Sequence, residues 1–95
     1  MSVKIITTAE RYKKSTEVLD YDFDYTEFLG ADNIASSDIT STPSGLTLGT
    51  KSNTTKVQKQ WISGGTIGVI YSVKCAMTST GGRVKTLEVL LTIIA

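Results

Sequence analysis

The sequence predicts an all-β protein built as an antiparallel sandwich of about seven short strands. Three observations carry that expectation. Leu19-Asp20-Tyr21-Asp22-Phe23-Asp24-Tyr25 alternates apolar and acidic residues with period two. Residues 69–78 and 83–94 also carry period-two patterns, on either side of Thr80-Gly81-Gly82, the local signature of a β-hairpin. No stretch shows the i, i+3, i+4 spacing of a helix. A small closed barrel is the alternative arrangement of the same strands.

A chain of 95 residues forms one domain that can bury a workable core without metals or disulfides. Its 40% hydrophobic and 20% charged content is ordinary for a globular protein. Histidine is absent, which removes the commonest general base and transition-metal ligand. The single cysteine, Cys75, falls on the apolar face of a strand and reads as a small buried hydrophobe. One unpaired cysteine fits synthesis in a reducing cytoplasm. Met1 to Thr8 is too short for a signal peptide, and no apolar run is long enough to span a membrane as a helix. A net charge of +1 argues against a sequence-independent nucleic-acid binder.

Residues 1–17 are expected to form an N-terminal arm or edge strand, and residues 18–95 the sandwich. Val3 to Thr7 can pair as a short edge strand. Ala9 to Thr16 carries Glu10, Arg11, Lys13 and Lys14 with little apolar content, and reads as an exposed arm or connecting loop.

The stripe from Leu19 to Tyr25 places its aromatics on one face and three aspartates on the other, as a sheet between core and water demands. Those aspartates are expected to form a solvated negative face; a hard-cation site is the lesser reading, because nothing resembles a calcium loop. Phe28 and Leu29 sit in a turn that tucks an apolar plug under the sheet, followed by the turn residues Gly30 to Asn33. Ile34 to Thr40 is a strand of poor alternation anchored by Ile34 and Ile39. Pro43-Ser44-Gly45 makes a turn, Leu46-Thr47-Leu48 restarts a strand, and Gly49 to Asn53 reads as an exposed loop.

Thr54 to Ile62 is a further strand, on which Trp61 is expected at the core or its edge. The glycine-rich run Ser63 to Gly68 is too short and lacks the lysine of a phosphate-binding loop, so it is a strand-to-strand corner. Gly68-x-x-Tyr71-x-Val73-x-Cys75 then resembles the approach to the penultimate strand of immunoglobulin-like sandwiches, where a tyrosine hydroxyl bonds back to upstream backbone. The fold class is therefore an immunoglobulin-like antiparallel β-sandwich.

Several segments taken together are more specific. They are Val18 to Tyr25, Leu29 to Ser37, Pro43 to Thr47, Trp61-Ile62-Ser63-Gly64-Gly65-Thr66-x-Gly68-x-x-Tyr71-x-Val73 and Thr78 to Arg83. In this order they resemble a family of small tailed-bacteriophage proteins encoded among virion-structure genes and similar to immunoglobulin-like domains. The resemblance spans residues 18 to 94 and is strongest in Trp-x-Ser-Gly-Gly-Thr-x-Gly-x-x-Tyr. It implies a non-enzymatic structural protein of the virion, made in the host cytoplasm: an accessory capsid decoration or head/neck component, or a tail protein. Its implied partners are other virion proteins of the capsid, neck or tail, and further copies of itself as a homo-oligomer.

Exposure and charge single out two docking segments: Arg11, Tyr12, Lys13 and Lys14 in the arm, and the loop around Lys51, Ser52, Asn53 and Lys56. No catalytic residue, cofactor or metal site is expected, and neither specific nucleic acid nor membrane is a partner. Asp20, Asp22 and Asp24 point the same way from one strand, whereas a glycosidase needs two carboxylates facing each other across substrate. The alternative function is a carbohydrate- or cell-surface-binding module that takes host glycans on Trp61 or Tyr12.

Overall fold

The computed structural model describes residues 3–95. These form strands β1 (Val3–Ile5), β2 (Ala9–Lys14), β3 (Leu19–Asp24), β4 (Ile34–Thr42), β5 (Leu46–Asn53), β6 (Val57–Gly64), β7 (Ile70–Ser79) and β8 (Val84–Ile94), with one helical turn, α1 (Thr26–Leu29). The strands make two facing sheets, ordered β1-β3-β6-β5 and β2-β8-β7-β4. With β2 set aside, this is the ABED and GFC strand order of immunoglobulin-like sandwiches.

The core follows the alternation. Tyr21, Phe23 and Tyr25 face inward from one sheet; Tyr71, Val73, Cys75 and Met77 of β7 and Leu87, Val89, Leu91 and Ile93 of β8 face inward from the other, all in one buried cluster. Each such side chain contributes roughly 1.5–3 kcal/mol through removal from water. The β7–β8 hairpin closes as the turn chemistry dictates. Ser79 N donates to Arg83 O at 2.8 Å, Gly82 N donates to Ser79 O at 3.0 Å, and Gly82 takes φ +89°. Two hydroxyls reach from the core to backbone. Tyr25 donates to Cys75 O on the facing sheet at 2.7 Å, and the Tyr71 oxygen accepts from Thr66 N at 3.0 Å, the expected corner bond. A Cβ on Gly45 would lie 2.7 Å from that oxygen, at φ +138°, so the turn after Pro43 needs glycine. The plug is formed as expected by α1, with Leu29 buried and Phe28 half-buried.

The N-terminal segment agrees with expectation in Val3–Ile5, an edge strand, and departs from it in the stretch that follows. Ala9–Lys14 is a strand rather than an exposed arm or loop, and both N-terminal strands pair within this chain's own sheets. Both pairs are parallel, Val3 beside Tyr21 and Ala9 beside Val89, whereas the other four pairings are antiparallel. The sheets are therefore mixed.

Two bulges account for the segments whose alternation failed. In β4 the register shifts between Ile34 and Ser36, and this inserted residue lets Ile34 and Ile39, five apart, both pack on the core. In β5 it shifts between Leu48 and Lys51, so the strand runs on through Asn53, where a loop was expected.

Strand β6 has the opposite parity to that expected of its tryptophan. Gln58, Gln60 and Ile62 point inward, and Trp61 points outward with 38% of its surface exposed. The buried amides are tolerated because backbone oxygens receive them. Gln60 Nε2 donates to Gly49 O in the β5 bulge at 3.0 Å and to Trp61 O at 2.9 Å, and Gln58 Nε2 donates to Ser52 O at 2.9 Å. Trp61 is thus an outer-face residue and not part of the core.

These placements fix stability outcomes. Ile62→Ala should cost about 2–5 kcal/mol and Trp61→Ala only about 1 kcal/mol, read from urea unfolding of each variant. Tyr71→Phe strands the Thr66 N–H and should cost on the order of 1–3 kcal/mol in the same assay.

Candidate docking surface

The charged outer faces are paired rather than open. Lys59 Nζ sits between Asp20 Oδ2 at 2.8 Å and Asp22 Oδ1 at 3.2 Å, and Lys4 Nζ lies 3.3 Å from Asp24 Oδ2. Burial alone would raise the Asp24 pKa, but hydrogen bonds from Thr26 and the Lys4 charge prevail and hold it below the usual value. The three aspartates are therefore a salt-bridge ladder across β1, β3 and β6, in place of the solvated face expected. Among the described residues no group of three His, Cys, Asp or Glu side chains is placed to hold a metal ion.

The expected docking residues fall on two separate edges. Arg11, Tyr12 and Lys14 are exposed on β2, with Tyr12 71% accessible. Lys13, expected beside them, is instead fully buried, and its ammonium donates to Gly64 O at 2.7 Å and Lys14 O at 2.9 Å. Strand parity turns it inward under the glycine corner, so it binds the chain to itself. Desolvation lowers its pKa, and the Glu17 charge acts the other way. Lys51 and Asn53 are exposed on β5, the far edge of the opposite sheet, where Lys51 Nζ reaches Ser37 O of β4 at 3.1 Å. Lys56 is half-buried, and its ammonium donates to Gly30 O at 2.7 Å and to Asp32 O.

The residues that converge in space were not all expected. At one end of the sandwich Asp32 gathers the loop after α1 and the β7–β8 turn. Its carboxylate accepts from Asn33 N at 2.9 Å, from Gly81 N at 3.1 Å and from the Thr80 hydroxyl, with Arg83 Nη2 3.4 Å away. The hydroxyls of Ser79 and then Thr80, with these N–H groups, hold its carboxyl well below the usual range. Arg83 also donates to Phe28 O at 3.2 Å and Leu29 O at 3.0 Å, and its guanidinium lies 4.7 Å from the Phe28 ring centroid. Lys85 Nζ lies over the same ring at 5.5 Å.

Beside this cluster runs a groove of about 380 Å³, bordered by Ile6, Phe28, Leu87 and Lys85, with Lys4, Asp24 and Glu27 on its rim. Ile6 is 62% exposed there. The sequence signal for this surface was the alternation Arg83-x-Lys85 just beyond the hairpin turn, which sends both cations to one face.

A family model described as podophage GP4 fiber-tail adaptor protein gp77 matches residues 13–92, from the end of β2 through most of β8. The chain belongs to that family. It is a structural protein of the tailed-bacteriophage virion, in line with the resemblance in its sequence. No curated protein matches it in sequence. Among solved structures it is similar to the cysteine protease inhibitor EhICP2 from Entamoeba histolytica, with a TM-score of 0.62 at 10% identity, covering 97% of this chain and 96% of that one. That likeness is one of fold alone.

The Asp32 cluster carries a pH dependence. Because the folded pKa is depressed, the carboxylate's stabilisation is fully present above the unfolded value of about 4 and is lost as pH falls toward the folded value. Thermal melts from pH 7 to pH 2 should show wild type more stable than Asp32→Asn at neutral pH, with the gap closing below about pH 4.

Proposed function

We propose that this protein is a non-enzymatic adaptor of a podophage virion, joining a tail fiber to the tail through protein–protein contacts. The observation that carries this reading is the family match over residues 13–92. The fold supports it: one continuous core and loops tied together by Asp32, Lys56 and Arg83 make a rigid body suited to holding two partners in fixed geometry. The family's description supports the tail among the capsid, head/neck and tail locations that the resemblance in the sequence implied. In this reading several copies per particle act together through repeated contacts. The exposed Arg11, Tyr12 and Lys14 on one edge, and the exposed Lys51 and Asn53 on another, offer two separate contact regions.

The outward Trp61 favours a second reading, a glycan-binding face on the outer side of β6. A quench or shift of tryptophan fluorescence on titration with host-surface glycan would support it, and an unchanged spectrum would remove it.

Particles from a phage lacking this chain test the adaptor reading. They should carry filled heads and tails without fibers by electron microscopy. Quantitative mass spectrometry of wild-type particles should give a small number of copies relative to the major capsid protein. Particles that keep their fibers without the chain would overturn the reading.

A further inference from the structure

Strand β8 is longer than the strand that covers it. On one side β7 pairs with it from Val84 to Thr92. On the other, β2 pairs only from Val89 to Ile94. Among the described residues no strand pairs with Val84 to Glu88 on that side.

The backbone groups there point outward. Ile93 exchanges both its bonds with the β7 side, donating to Val69 O at 3.1 Å and accepting from Gly68 N at 2.9 Å, whereas Ile94 O accepts from Ser15 N beyond β2. The β7–β8 register runs from Val84 to Thr92 without a shift. Period two therefore directs the N–H and C=O of Val84 and Thr86 to the open edge. The groove bordered by Ile6, Phe28 and Leu87 lies against the same stretch.

An open ladder beside a groove with apolar walls at Ile6, Phe28 and Leu87 and a charged rim is the arrangement by which a sheet takes up an extended peptide: main-chain bonds hold the segment and the groove selects its side chain. Leu87 and Lys85 are two residues apart and share the face that lines the groove. Side chains two apart on an added strand meet them in turn. Opposite Leu87 the fit is apolar. Opposite Lys85 it is acidic, because among the described residues Lys85 is in no ion pair. A second copy of this chain fits poorly, since pairing the same edges would bring Arg83 and Lys85 to a rim that already holds both.

Resting on the adaptor reading, we infer that Val84–Glu88 is the docking edge for an extended segment of another virion protein. That segment adds a strand to the β2-β8-β7-β4 sheet beyond the end of β2. It places one apolar side chain in the groove and a carboxylate, two residues away, against Lys85.

The test uses purified particles from a phage lacking this chain, to which the full-length protein is added back and co-sedimented. Wild type should bind. Thr86→Pro removes an N–H that faces only the open edge and leaves the β7 ladder whole; Lys85→Glu reverses the charge at an exposed site. Each should bind at least ten-fold more weakly, with Lys85→Glu melting within a few degrees of wild type. A photo-cross-linker at Val84 should mark a segment of another virion protein carrying an apolar and an acidic residue two apart. Wild-type binding by both variants, or a cross-link only to a second copy of this chain, would overturn the docking edge. Those results would leave the adaptor reading standing, because that reading is judged by whether particles without the chain keep their fibers.

Discussion

The rest of the structure depends on one contact, the packing of Tyr21 and Phe23 of β3, and of Tyr25 just beyond it, against the inward side chains of β7 and β8. These residues have no other way to leave water, and strand geometry presents them only if both sheets keep their register. The hydroxyls refine that packing. Tyr25 finds a carbonyl on the facing sheet, and its pKa is pushed up first by burial and then by that bond. Tyr21 has no such partner for its buried oxygen, and burial, with the Glu17 charge adding and Arg11 opposing, pushes its pKa up to about 12.

Around this core the chain uses polar side chains as internal fittings. Gln58, Gln60 and Lys13 all turn inward, and each gives its protons to main-chain oxygens. Burying an amide or an ammonium is costly unless such acceptors exist. Here a bulge, a strand edge and a glycine corner supply them. The polar interior and the irregular backbone are parts of one solution.

This also explains what could be read from the residues alone. The stripe of β3, the β7–β8 hairpin, the Phe28–Leu29 plug and the Tyr71 corner were legible because each follows from local period or turn chemistry. Trp61 was not, since in β6 the choice of face is made by where Gln58 and Gln60 find acceptors on β5. The parity of β4 was hidden by a bulge, which no hydrophobic pattern announces. Of the expected docking residues, Lys13 was misplaced because its burial depends on the distant Gly64 carbonyl that receives its ammonium, while Arg11 of the same parity stays exposed. The Asp32, Phe28 and Arg83 cluster depended on contacts over some fifty residues of chain, beyond the reach of local pattern.

The parallel course of β2 along β8 bears on how the molecule carries load. From Ala9 beside Val89 to Lys14 beside Ile94, the two strands run in the same direction. Tension that enters ahead of β2 and leaves beyond β8 pulls them along their common axis in opposite senses. The ladder is then sheared, with its hydrogen bonds stretched together, instead of being unzipped one at a time. Survival under force is governed by the rate of unfolding rather than by equilibrium stability. A shear-loaded ladder slows that rate, and a part strained between two larger bodies benefits directly.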